Sequence, residues 1–215
     1  KWEKKGETNF GLDYGFLDYK VTGTLDLFSR KVNDLLYNFP VPVPPNAFGN
    51  TWANVGELTS SGLEAAIQFN DLKLGGIKWT PALNATFYLS NKLVSLSEGD
   101  LKFGSGGGID LAGVGAPGQN NFYMIRVEEG KELGYIWAQR FNGVDDKGNP
   151  LFKDLNKDGK GTTDDREIVG NGIPNFTLGL NNTFTAGKFT VSAFLRGAFG
   201  HSLVNQNRVF YEDFN

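Results

Sequence analysis

Residues 175–199 read NFTLGLNNTFTAGKFTVSAFLRGAF, and this stretch decides the fold. In its first half Phe176, Leu178 and Leu180 point one way and Phe184 closes the row, while Asn175, Thr177, Gly179, Asn181 and Thr183 point the other. A period of two belongs to a strand with one apolar and one polar face. After a short AGK turn at 186–188 the pattern resumes. Phe189, Val191, Ala193, Leu195 and Phe199 share a face, and Thr190, Ser192 and Arg196 oppose them, with Phe194 as an exception.

The same alternation runs through the earlier chain. Leu63, Ala65, Ile67 and Phe69 alternate with Glu64, Ala66, Gln68 and Asn70; Leu83, Ala85, Phe87 and Leu89 alternate with Ala82, Asn84, Thr86 and Tyr88. Near the start, Leu12, Tyr14 and Phe16 oppose Asp13 and Gly15, and Val21, Leu25 and Leu27 oppose Thr22, Thr24 and Asp26. Six runs agree, and helix-period patterns are scarce, so the chain is all-β.

Two architectures present such faces: a soluble sandwich, which buries one face against a second sheet, and a barrel in lipid, whose apolar face meets acyl chains. The connections favour the barrel. Tight turns are expected at 17–20, 70–77 and 186–188, and long links at 40–53 and 96–174. Short turns on one rim and long loops on the other is the habit of outer-membrane barrels. The runs also reach the roughly 9–11 residues that a tilted strand needs to cross a bilayer. Asp13, Asp26, Glu64, Gln68 and Arg196 on the opposite face suit a wide, hydrated lumen. Parity requires an even number of crossings between 96 and 174, none or two, so the extended-looking GYIWAQRF (134–141) is either one of an extra pair or part of a folded excursion outside.

Composition excludes several function classes. A net charge of −3 over 215 residues, with Lys and Arg scattered, leaves no basic field for nucleic acid. Without cysteine there are no disulfides, thiolate sites or cysteine nucleophiles. The single His201 cannot build a histidine metal cluster, and no run approaches the roughly 20 apolar residues of a membrane helix. GVGAPG (113–118) matches GxGxxG, but a glycine-rich stretch precedes it and no helical stripe follows, so it reads as a loop. Asp145, Asp146, Asp154 and Asp158 lie in turn-forming sequence, and no nucleophile, base and orienter assemble around them. An enzyme is not expected.

Two motifs remain. PVPVPPN (40–46) carries Pro40, Pro42, Pro44 and Pro45, which lack an N–H and fix φ; the segment is expected to leave the sheet and extend, either as a stiff loop or as a partner-docking arm. DLNKDGKGTTDD (154–165) follows the calcium-loop order of oxygen ligands: Asp154, Asn156, Asp158, the carbonyl of Lys160 and Asp165, with Gly159 at the sharp turn. Its last acid is the short Asp, Gly161 stands where an apolar residue is usual, and no helix flanks it. An EF-hand is therefore excluded, while an isolated calcium turn is a candidate.

Together these stretches resemble the SusC/RagA family of TonB-dependent outer-membrane transporters of the Bacteroidetes. VTGTLDLFSRKVNDLLYNFPVPVPP (21–45) is similar to the family's strand and proline loop. NVGELTSSGLEAAIQF carries its N-x-G-E-x4-G-x-E pattern as Asn54, Gly56, Glu57, Gly62 and Glu64. LFKDLNKDGKGTTDDREIVGNGIPNFTLGLNNTF and the hairpin after it are similar to the family's DxNxDG segment and following strands. The resemblance implies an antiparallel transmembrane β-barrel of 22 strands in the outer membrane, of which this chain is a late portion with a long extracellular excursion at about 96–174. It further implies energy from TonB–ExbB–ExbD, a SusD-like lipoprotein lid, and import of oligosaccharides or peptides. An isolated arc would leave two open edges in lipid, so a longer chain is expected. The alternative is a soluble or surface β-rich module with a calcium-stabilised loop. Trp52, Tyr123 and Trp137 are the visible aromatic candidates for substrate contact, equally explicable as interface-belt or loop-packing residues.

Overall fold

The computed structural model describes residues 2–96, 108–113 and 122–211. They divide into two compact units, Lys1–Ser95 with Pro174–Gly200 and Leu96–Ile173 with His201–Asn215. GVGAPG lies, beyond Gly113, outside the described residues.

The first unit is an antiparallel sheet. Its strands are β1 (Lys4–Phe16), β2 (Val21–Pro40), β3 (Asn50–Phe69), the short β4 (Leu72–Leu74) and β5 (Ile77–Leu96). The sheet order is β1-β2-β3-β5, followed by the hairpin of the last two strands of the chain, Phe176–Ala186 and Phe189–Phe199; β4 pairs with the start of β5. The rows of the sequence pattern meet in register: Leu12 with Leu25, Leu25 with Ala65, Leu27 with Leu63, Leu83 with Leu180 and Leu180 with Leu195. One slip of a residue would exchange the two faces, so this agreement across strands fixes the register.

The tight turns stand where the sequence places them. Residues 17–20 close β1 to β2 with Leu17, Asp18 and Tyr19 all at positive φ. Gly75 and Gly76 close β4 to β5, and Gly187 at φ 58° opens the two-residue loop before Phe189. All three lie on one rim. The parity question is answered by the pairing of β5 with the strand Phe176–Ala186, from Lys78↔Thr185 to Phe87↔Phe176: no strand of this sheet stands between them.

β2, β3 and β5 run to 20 residues each, roughly 66 Å of chain, more than twice the hydrocarbon core of a bilayer. The distal half of β2 carries charge instead of alternation. Glu7 meets both Lys5 and Arg30 at 3.1 Å, and Lys31 meets Glu57 at 2.7 Å. A bulge between Val32 and Leu35 puts Asp34 at φ 58°, and the Asn54 side-chain amide donates to the Asp34 carbonyl at 2.8 Å.

The proline segment differs from expectation. It does not extend: Pro40 still pairs with Asn50 at the end of β2, the Val41 N–H donates to the Gly49 carbonyl at 2.8 Å, and the Asn46 backbone and side-chain amides both donate to the Pro42 carbonyl. A chain poor in N–H donors has closed a compact turn by drawing on the donors that flank it.

The second unit holds a separate four-stranded sheet made of β6 (Gly108–Gly113), β7 (Tyr123–Glu128), β8 (Tyr135–Gln139) and β11 (Arg166–Asn171), in the order β11-β8-β7-β6. β9 (Phe141–Val144) and β10 (Pro150–Phe152) form a two-stranded ribbon. GYIWAQRF is thus the middle of a folded excursion: Tyr135, Ile136 and Ala138 are buried, and the Tyr135 hydroxyl donates to Glu128 Oε2 at 3.1 Å. The strands after it, β12 (Phe176–Ala186) and β13 (Phe189–Phe199), return to the first sheet, and α1 (Gln206–Tyr211) ends the described chain.

Candidate functional site

The apolar face of the first sheet is uncovered. Phe10 is 72% exposed, Leu89 66%, Phe189 79% and Leu195 61%, where a sandwich would bury them against a second sheet. Aromatic rings border this face at two levels. Trp79 stacks on Phe184 with centroids 5.9 Å apart, and eight residues further along both strands Phe87 stacks on Phe176 at 5.7 Å, which in turn stacks on Phe199 at 4.9 Å. Eight residues span ~26 Å of strand, or ~20 Å normal to a bilayer at a tilt of ~40°, close to the roughly 25 Å apolar band and flanking aromatic girdles of membrane barrels.

The opposite face is polar and lined by fitted pairs. Asp26 covers Gly11, Tyr19 covers Gly15, and Asn84 covers Gly179, each so closely that a Cβ on the glycine would stand under 3 Å from the covering side chain. Phe28 is buried on this face over Gly62, with the Arg30 guanidinium 4.3 Å above its ring. Near the short-turn rim Asp13, Thr24, Gln68 and Asn84 line a recess of about 610 Å³.

These facts give the motif N-x-G-E-x4-G-x-E a physical meaning that its spacing alone did not disclose. Asn54 satisfies the carbonyl freed at the β2 bulge, Gly56 leaves room for Leu35, Glu57 pairs with Lys31, and Gly62 leaves room for Phe28. The pattern fixes how β3 lies against β2.

The acidic loop is closed by its own backbone. Asp154 accepts N–H groups of Lys157 (2.6 Å) and Asp158 (3.2 Å) on one oxygen and of Gly159 (2.8 Å) on the other. Asn156 Oδ1 accepts from the Asp158 N–H at 2.9 Å, and Asp158 Oδ1 from the Lys160 N–H at 2.8 Å. Asp165, fully inaccessible, clasps both ends: Oδ1 accepts from Leu155 (2.8 Å) and Asn156 (3.3 Å), and Oδ2 from Thr162 (2.8 Å). With Thr162 it forms a capping box at the 3-10 turn Thr163–Asp165. The backbone N–H groups of Thr162 and Leu155 hold its carboxyl below the usual aspartate value. Gly161 is explained by Phe152, whose Cβ would lie 3.0 Å from a Cβ at that position. The oxygen-only donor set suits calcium, yet among the described residues no three His, Cys, Asp or Glu side chains gather around a common point. As folded, the loop is closed by its own hydrogen bonds, with Asp154, Asn156, Asp158 and Asp165 each accepting a backbone N–H. Asp145 does the same for its own turn, accepting from the side chain and N–H of Asn149 and from the N–H of Lys147, which lowers its pKa.

The remaining candidates fall in different units. Trp52 lies 67% exposed on β3 in the first unit; in the second, Tyr123 begins β7 and Trp137 packs edge-on against Tyr135.

A sheet apolar and uncovered on one face, polar on the other, and turned tightly on a single rim is a segment of an antiparallel transmembrane β-barrel. The family model for the TonB dependent receptor-like β-barrel matches residues 1–215, and the chain belongs to that family. It is 29% identical to TonB-dependent receptor P3 of Formosa agariphila, over 95% of this chain and 21% of that protein. It is 27% identical to TonB-dependent receptor SusC of Bacteroides thetaiotaomicron, over 99% of this chain and 20% of that protein. The chain therefore spans about a fifth of the length of the curated relatives it matches. Among solved structures, the RagAB peptide importer in its open-open state superposes with a TM-score of 0.73 at 19% identity, covering 94% of this chain and 21% of that one; this likeness carries the fold. The family is one of receptors and not of enzymes.

Proposed function

We propose that this chain is part of the barrel wall of an outer-membrane importer of oligomeric nutrients, glycans or peptides, energised through TonB–ExbB–ExbD and served by a SusD-like lipoprotein lid. The observation that carries the reading is the family match over residues 1–215, on a sheet whose apolar face lies open. The likeness in fold to a peptide importer suggests peptides, and the glycan class is what the SusC/RagA resemblance of the sequence implies. In this reading the wall contributes three things: an apolar band that seats the barrel in lipid, a hydrated inner face, and outer extensions held straight by the ion pairs of Glu7, Arg30, Lys31 and Glu57. The turn at Pro40, Pro42, Pro44 and Pro45 lies on the rim opposite the short turns and is offered as a docking point for the lid. The acidic loop enters as a self-closed turn; calcium on Asp154, Asn156, Asp158, Lys160 and Asp165 is the competing proposal for the same oxygens.

The test is deletion of the complete gene in its own host, followed by growth on single glycans and on peptide mixtures as sole nutrient. Loss of growth on one class, restored by the intact gene and not by a version lacking its TonB-contacting segment, is expected. Unchanged growth and uptake on every oligomer would refute the reading. Affinity purification of the complete protein from mild detergent should bring down a lipoprotein, and replacing residues 42–46 with a short Gly-Ser turn should weaken that recovery.

A further inference from the structure

One polar residue breaks the apolar row that faces lipid. Asn182 stands between Leu180 and Phe184, opposite Pro81 on β5. Its Oδ1 accepts the Trp79 indole N–H at 3.1 Å, while its amide nitrogen makes no hydrogen bond with the described residues. Around it the face is hollow. Trp79, stacked on Phe184, forms one wall, Leu83 and Leu180 form the other, and Pro81 and Asn182 form the floor of an almost wholly apolar groove of about 450 Å³. That size falls in the roughly 300–1,000 Å³ range of small-molecule sites. The groove runs over the ends of β3 and β4 and over β5 and β12, all strands of this one sheet.

We propose that this groove binds one glycerophospholipid of the leaflet on the short-turn side, with an acyl chain between the walls and an ester carbonyl accepting from the Asn182 amide. The inference rests on the proposed placement in the outer membrane. Three features argue for that occupant. The groove is continuous with the lipid-facing band, so acyl chains are what it meets. A polar donor in an apolar band is costly unless it finds an acceptor, and an ester carbonyl is the acceptor lipid supplies near the interface. The adjoining rim supplies a cation: Lys188 stands in the β12–β13 turn beside the lipid-facing Phe189, whereas Lys73 and Lys78 pair on the polar face, where Lys78 meets Asp71 at 3.1 Å. Long basic side chains at a membrane boundary place their charges at the level of lipid phosphates.

The complete protein, extracted into mild detergent and delipidated, is titrated with phosphatidylglycerol and read by native mass spectrometry. One tightly held lipid per barrel is expected. Asn182→Leu removes the donor, and loss of one hydrogen bond predicts about fivefold weaker retention; Leu180→Trp fills the groove and should abolish it. A second measurement needs no destabilising change: phospholipid brominated along its acyl chains should quench a fluorescence component present in the native protein and lost in Trp79→Phe. Folded Asn182→Leu and Leu180→Trp barrels that retain lipid like the native protein, or a Trp79 component that brominated lipid does not quench, would overturn the proposal. Uptake is scored separately: a barrel that holds the lipid but imports nothing defeats the importer reading alone, and the reverse result defeats the lipid site alone.

Discussion

Placing an arginine on neighbouring residues of β13 tests the face assignment directly. Leu195 pairs with Leu180, four residues from Phe176 and four from Phe184, and so sits midway between the two aromatic levels. If that face meets lipid, Leu195→Arg places a charge near the bilayer midplane and should cost ~2–4 kcal/mol. At ~1.4 kcal/mol per tenfold this is roughly a 30- to 700-fold loss in the folding equilibrium. Phe194 points to the other face, opposite Asn181, and is 64% exposed. Arginine there enters hydrated space and should change stability by ~0.5 kcal/mol or less. The assay is urea unfolding of the complete barrel in lipid vesicles, followed by tryptophan fluorescence and by the gel shift between folded and heated protein. In a water-soluble sheet Leu195, already 61% exposed, would accept arginine within the same ~0.5 kcal/mol. Equal small effects at 194 and 195 would refute the lipid-facing assignment, and a larger cost at 194 would invert it.

Four further outcomes follow from the packing and the loop. Gly62→Ala would set a Cβ 2.5 Å from the Phe28 ring and 2.6 Å from the Phe87 carbonyl oxygen, so a loss of ~1–3 kcal/mol is expected in the same unfolding assay. Adding Phe28→Ala should recover only the part due to the ring, since the carbonyl stays. Asp165→Asn should speed hydrogen exchange at Leu155, Asn156 and Thr162 while leaving β12 and β13 protected, because an amide offers one acceptor oxygen where the carboxylate offers two. The pH dependence has a definite sign. The folded carboxyl is held below its ordinary value, so its contribution is full above pH ~4 and is lost as pH falls through the lower folded value; protection of the loop amides, measured against their intrinsic exchange at each pH, should be flat from neutrality to about pH 4 and fall below it. Because the carboxylates of Asp154, Asp158 and Asp165 already accept backbone N–H groups, a calcium chelator should leave exchange across 154–165 unchanged; faster exchange that calcium reverses would establish the ion.

Where a single force set the local structure, the sequence was sufficient. Lipid on one side and water on the other impose a period of two, and Leu12, Leu25, Leu83, Leu180 and Leu195 fall into register as that alternation requires. The tight turns were equally legible, because Gly75, Gly76 and Gly187 mark positions where the chain must reverse. Beyond the bilayer that force stops acting. The distal half of β2, SRKVNDLLYNFP, does not alternate, since neither face meets lipid; it is held by cross-strand pairs such as Lys31 with Glu57, which sequence alone does not pair. The proline segment misled for a related reason. Lost N–H donors argue for leaving the ladder, but not that Gly49 and Asn46 restore the bonds locally.

Asn182 shows the same limit from the other side. In the one-dimensional pattern it is a gap in a row of Phe and Leu, and a gap reads as noise. Once β5 is set beside β12 in register, that gap faces Pro81, the one residue type that brings no backbone N–H, and Trp79 leans over to donate to the Asn182 oxygen. A donor left over in an apolar band is then an unbalanced polar group with a direction, and unlike the side-chain oxygens of Asp154 and Asp165, which accept backbone N–H groups of their own loop, it has no answer within the described chain. The conspicuous motif therefore turns out to be closed upon itself, and the unremarked exception is where the sheet is chemically open.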